Sequence, residues 1–225
     1  MSLLSIFRKN EKNPKIESYD DFWKWFEGRE HRFRDFIMSG GDIDAGVFAE
    51  ASPKPDQLGH ALFLLAGKFD DDTAELIFTP DGRIEGIVFA EELVAAAPQI
   101  AGWRFTALKP ESEGFYMTMN GHSFSEDNLT FVPNETWERP DEVDITVVHE
   151  ELNDENRRAI THGCFIFLDN YLGELRFATE IDNLTFVRPS DNDGPRKPIN
   201  QLKAYLTERS LRFVEVRRNE ETYRK

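Results

Sequence analysis

The chain holds one cysteine, five histidines and 42 acidic side chains, and these are the groups from which chemistry would be built. A thiolate nucleophile needs a base within hydrogen-bond reach. His162 lies two residues from Cys164, which on a helix sets the two side chains about 200° apart. Cys164 also falls on an apolar helical stripe with Ile160, Phe167, Leu168 and Tyr171, so a buried, inert thiol is the reading that follows. His122, His149, His162 and Cys164 have no compact ligand spacing, and no metal site is predicted. Asp70-Asp71-Asp72 invites a calcium loop. The glycine and the bidentate acid that such a loop needs are not in place, which leaves a solvated hairpin tip. Gly40-Gly41, Gly114 and Gly121 lack the strand-to-helix context of a phosphate-binding loop, and no cofactor is predicted.

Acid–base work by carboxylates, as in a hydrolase or an isomerase, is the enzymatic reading that remains. Asp169 and Glu174 flank Tyr171-Leu172-Gly173 at a helix end, and Glu75 lies on a strand expected near the middle of a sheet. A carboxylate held in such surroundings has a raised pKa suited to proton transfer. Glu174, directly after a helix-ending glycine, reads more simply as an acceptor for backbone donors, and Lys109 as the ion-pair partner of such an acid.

Hydrophobic period and turn residues predict the elements that position these groups. Ser18 or Asp20 caps a helix running to Ser39, with Phe22, Phe26, Phe33 and Phe36/Ile37 on one side and Gly40-Gly41 as its stop. Trp23 and Trp25 fall about 200° apart on it, so both cannot face one core; one of them covers a second surface, another element or a partner. His60–Phe69 is a continuous apolar run, the pattern of a central strand buried on both faces. Ala74–Pro110 then reads as strand, Pro80-Asp81-Gly82 turn, helix over Phe89–Ala97 and strand over Gly102–Leu108, and the rest of the chain is expected to pack around it. Gly114–Met119 and Asn128–Pro133 read as a hairpin pair. The hexamer DNLTFV occurs at Asp127–Val132 and Asp182–Val187, which we read as one turn-then-strand solution used twice rather than a repeated unit. A helix spans 153–172, weakened by about 1 kcal/mol at Gly163, so that a break near His162-Gly163 is open. Leu175–Thr179 and Leu184–Arg188 read as strands, and 198–216 as a terminal helix.

The segments ELIFTPDG (Glu75–Gly82), FAEELVAAAPQIAGWRFTALKP (Phe89–Pro110) and FLDNYLGEL (Phe167–Leu175) resemble a family of uncharacterised bacterial proteins common in Bacteroidetes-type genomes. The resemblance runs over most of residues 17–215, and GW-x-FTALKP is its most specific part. It implies a cytoplasmic bacterial protein. That family has no established catalytic residues, so none is carried to this chain.

The predicted fold is α+β, a largely antiparallel sheet of about six to eight strands with helices mainly on one face. Residues 1–16 read as a mobile lead, 17–217 as one domain or two halves meeting near 134–142, and 218–225 as a frayed tail. The net charge of −15 disfavours a nucleic-acid backbone or an anionic membrane as partner. No apolar stretch approaches the roughly 20 residues that span a bilayer, so no integral membrane contact is expected. A single cysteine suits a reducing cytoplasm. Residues 196–225 carry nine Lys/Arg against four Glu, a local +5, read as a basic helix lying on its own acidic body or a handle for an acidic partner. The favoured function is a protein-interaction module that meets a partner, a basic one in particular, through an acidic surface and an exposed aromatic such as Trp23, Trp25 or Trp137. The sequence leaves the oligomeric state open.

Overall fold

The computed structural model describes residues 14–59, 61–135, 143–192 and 194–223, with side chains described up to residue 212. The chain divides into two compact units, one ending at Leu108 and the other beginning at Lys109. The 134–142 segment read as a boundary lies in the second unit, and its residues 136–142, Trp137 included, are outside the described residues. So are residues 1–13 of the expected lead and 224–225 of the expected tail. The fold is α+β.

The first unit begins with α1 (Tyr19–Glu27) and α2 (Glu30–Ser39). Ser18 caps α1, its Oγ accepting from Asp21 N at 3.1 Å, and Gly28 divides what reads as one helix into two. Gly40 ends α2 in the left-handed region, where a residue without Cβ is favoured. A π-helical turn over Asp44–Phe48 runs into the single turn α3 (Ala49–Ala51) and a 3-10 turn over Pro55–Leu58. Then come β1 (Phe63–Lys68), β2 (Ala74–Thr79), α4 (Ile87–Ala95) and β3 (Trp103–Ala107). The strand order is β1-β2-β3, with β1 antiparallel and β3 parallel to β2. Ala74–Leu108 thus forms the strand–helix–strand arrangement expected of it, with β2 as the central strand, but the expectation that the rest of the chain packs around it fails: residues from Lys109 on form a unit with a core of their own.

One face of this sheet is buried by aromatic packing. Phe22, Trp23 and Phe26 of α1 meet Phe78, Trp103 and Phe105 with ring centroids 4.5–5.8 Å apart, an edge-rich arrangement that adds to the area buried. The indole N–H groups settle the orientation. Trp23 Nε1 donates to Leu93 O at 2.8 Å and Trp103 Nε1 to the buried Glu30 Oε2 at 3.0 Å. Strand β1 lies at the edge of the sheet rather than at its centre. Leu64 is buried, but Phe63 and Leu65 are 55% and 42% exposed, so the run read as doubly buried covers a core on one side only.

The second unit carries the hairpin β4 (Met117–Met119) and β5 (His122–Phe124), then β6 (Leu129–Asn134), β7 (Val143–His149), α5 (Arg157–Leu172), α6 (Glu174–Glu180), β8 (Ile181–Val187), β9 (Lys197–Pro198) and α7 (Leu202–Tyr223). Strand β4 pairs with β5 rather than with β6, because Asn120 (φ 52°) and Gly121 (φ 80°) make a two-residue turn, the tightest hairpin connection. The four-stranded sheet runs β8-β7-β6-β9. Its core is built from β6, β7, the inner face of α5 and the start of α7, including Phe131, Ile145, Val147, Ile160, Cys164, Phe167, Leu202 and Leu206.

Both units use one topology: an antiparallel pair, then a helical crossover to a strand parallel to the second. Among the described residues the strands thus form three separate sheets rather than one of six to eight strands; the three- and four-stranded sheets are mixed, though four of the six pairings are antiparallel. The two DNLTFV segments supply most of β6 and β8, on either side of β7, and Phe131 and Phe186 both register with Val147; Asp127-Asn128 form the expected turn, but Asp182-Asn183 already belong to β8. Residues 174–180 form a helix, not the expected strand. Glu174 sits favourably in its first turn, and Arg176 Nε reaches Glu180 Oε1 at 2.8 Å, one turn on.

Candidate functional site

Helix α5 is unbroken at His162-Gly163, and the glycine there serves packing. A Cβ on it would lie 2.0 Å from Phe124 Cζ, so β5 packs directly on the helix backbone. Cys164 is fully buried and burial pushes its thiol up to about 12, the inert state expected of it. His162 is exposed on the other side of the helix. His122 is bonded to Glu151, and His149, buried, has its pKa lowered by burial. No group of three or more His, Cys, Asp or Glu among the described residues is arranged to hold a metal. The Asp70 carboxylate instead accepts from Asp72 N at 2.9 Å and Thr73 N at 2.7 Å, closing its own turn.

Asp169 and Glu174 do come together, on Lys109. Lys109 Nζ pairs with Asp169 Oδ2, and the two side chains are 9% and 13% exposed. Glu174, fully buried, accepts from Lys109 N at 3.2 Å and its own N donates to Lys109 O at 2.9 Å. Gly173 makes this corner possible: its φ of 79° is left-handed and a Cβ would lie 2.8 Å from Glu111 N. Ser112 N donates to Asn170 O at 3.1 Å, and Lys203 Nζ donates to Ser112 O at 2.9 Å while lying 4.4 Å over the Tyr171 ring. These contacts strap residues 109–112 to the α5–α6 corner, an anchoring arrangement in which both acids serve bonds within the unit.

Glu75 belongs to the other unit. Its Oε1 accepts from Thr106 Oγ1 at 2.6 Å and meets Arg104 Nε at 3.1 Å, on the sheet face opposite the aromatic core. Strand register sets that face out in rows: Phe63 beside Thr79; Leu65 beside Ile77 and Thr106; Gly67 beside Glu75 and Arg104. Phe63, Leu65 and half-buried Ile77 form its apolar centre. Two arginines bound it, Arg104 lying 4.1 Å over the ring of half-exposed Phe69 and Arg83 lying 5.7 Å over Phe63. Acidic turns close its ends, with Asp70, Asp71 and Asp72 at one and Asp81 at the other, all exposed.

Neither Trp23 nor Trp25 is the exposed aromatic that their spacing suggested; they are 2% and 3% exposed. Trp23 faces the sheet. Trp25 packs on Phe22 and Phe33 and lies beneath Arg29 (5.0 Å) and Lys54 (5.1 Å). Arg29 and Arg32 both pair with Glu50. Helix α1 is thus covered on two sides, a wide buried face that accommodates both indoles. The exposed aromatics of this sheet face, Phe63 and Phe69, belong to a run whose unbroken hydrophobicity hid the alternation of Phe63, Leu65, Gly67 and Phe69 on one face.

No protein-family model matches the chain, and no curated protein or solved structure is significantly similar to it.

Proposed function

We propose that the protein is an interaction module whose contact surface is the exposed face of the β1-β2-β3 sheet. The observation that carries this is the apolar strip of Phe63, Leu65 and Ile77, bounded by arginine–aromatic stacks and acidic turns. Large exposed apolar side chains gathered on one face are unusual away from a contact surface. Aromatic and arginine side chains are the residues that most often dominate binding energy. The four aspartates at its ends favour a partner that presents apolar side chains within a basic rim. Glu75 fits this reading as the group that holds Arg104 in place, and the carboxylates at Lys109 fit it as an anchor for their own unit. A bacterial, cytoplasmic setting rests on the family resemblance and the single, buried cysteine.

The test is affinity capture from lysate of the source cells with three baits: the wild type, Leu65→Asp, and Leu211→Asp, which alters an exposed leucine of the other unit. A prey recovered with the wild type and Leu211→Asp but lost with Leu65→Asp supports the surface. A prey retained by Leu65→Asp, or none with any bait, removes it.

A further inference from the structure

The outer face of α5 forms a cleft of about 640 Å³ that neither the sheet face nor the Lys109 corner uses. Arg158 and His162 stand one helical turn apart on it, with a Cβ spacing of about 5–6 Å that lets both reach one small group. Asn120 joins them from the β4–β5 turn, which is held beside the helix because Phe124 sits on Gly163. Phe165, three residues beyond His162 and 44% exposed, supplies an apolar wall, its ring braced against Phe177 at 5.6 Å and Phe186 at 5.8 Å.

Among the described residues, the side chains of Arg158, His162 and Asn120 make no hydrogen bond or ion pair. Their counterparts elsewhere in the unit are committed. Arg157 donates to Phe186 O at 3.1 Å, Arg176 pairs with Glu180, Arg188 with Asp191, and His122 with Glu151. Three donors left unspent in one concavity, beside an aromatic wall, are the composition of a ligand pocket, and the volume lies within the roughly 300–1,000 Å³ typical of one. The acid in the lining is Glu155.

We propose that this cleft binds a small organic anion, an oxyanion such as a carboxylate or phosphate joined to an aromatic or aliphatic body. The guanidinium of Arg158 offers two parallel donors to the oxyanion, His162 and Asn120 donate from the flanks, and Phe165 meets the body. Glu155 accepts from a hydroxyl or amino substituent and repels a second anionic group at its end. The site lies in the second unit and is independent of the sheet face.

Isotope-labelled full-length protein titrated with benzoate, with phenyl phosphate and with uncharged benzamide tests this by amide NMR. Saturable shifts centred on residues 118–122 and 155–166 are expected with at least one of the two anions, and the anion that binds identifies the oxyanion. A lost charge-assisted contact weakens binding roughly tenfold or more, so benzamide and Arg158→Ala should each fall by that amount. The Arg158→Ala/His162→Ala double variant should show no saturable shift. Both side chains face solvent, and unchanged dispersion elsewhere in the spectrum reports an intact fold. No saturable shift with either anion, equal binding of benzamide, or full binding by the double variant overturns the proposal.

Discussion

Replacing Gly163 with alanine sets two effects of opposite sign against each other. As a substitution within a helix it gains about 1 kcal/mol. Against this, the new Cβ would lie 2.0, 2.3 and 2.6 Å from three ring atoms of Phe124. That ring is fully buried and packs at 5.3 Å on the buried His149, so it cannot swing away; the hairpin or the helix has to move. Overpacking of this kind costs about 1–3 kcal/mol, and so close an approach belongs at the upper end. The net expectation is a loss of about 2 kcal/mol. Cys164, the next residue, is the only cysteine in the chain and is fully buried, so its labelling by a thiol reagent reports opening of this helix. A loss of about 2 kcal/mol raises the labelling rate by about 30-fold. Adding Phe124→Leu to Gly163→Ala should recover part of the loss. If Gly163→Ala slows labelling or raises the urea midpoint, helix propensity outweighs the contact and the seating of Phe124 on Gly163 is wrong.

Two further substitutions test the anchoring geometry. Gly173→Ala should destabilise the second unit by about 1–3 kcal/mol in urea unfolding, since φ is 79° and the Cβ would meet Glu111 N at 2.8 Å; no change would show that the α5–α6 corner relaxes without strain. Glu50 responds to pH. Burial pushes its carboxyl up, but Arg29 and Arg32 outweigh burial and hold it below its ordinary 4.5. A folded-state pKa below the unfolded one contributes stability that is fully present above that ordinary value and is lost as pH falls through the depressed one. Glu50→Gln should therefore be less stable than wild type at neutral pH, and the difference should shrink in acid below about pH 4.5; a gap independent of pH would remove the Arg29–Glu50–Arg32 cluster as its cause.

Much of the architecture is visible in local pattern. The strand–turn–helix–strand run from Ala74 to Pro110, the Ser18 cap, the apolar stripe of α5 and the pairing of Lys109 with an acid near the Gly173 corner all follow from residues close in sequence or from plain charge logic. The candidate surfaces are less visible. Phe63 and Leu64 are adjacent and both apolar, yet only Leu64 is covered, because among the described residues helices pack on just one side of the three-stranded sheet. Trp23 and Trp25 read as opposed, yet both are covered, because the 43–58 segment lies over the side of α1 that the sheet does not reach. Gly163 reads as a weakness in a helix until Phe124, 39 residues earlier, is seen against it.

What the amino-acid order determines by itself is most of the elements, α6 being an exception, and which side of most of them is apolar, since capping, period and turn geometry act over a few residues. Tertiary packing alone decided which strand stands at an edge, which apolar face stays in solvent and which arginine and histidine have no partner among the described residues. Those outcomes depend on how many elements arrive from distant parts of the chain to cover each surface, and no local residue pattern encodes that number.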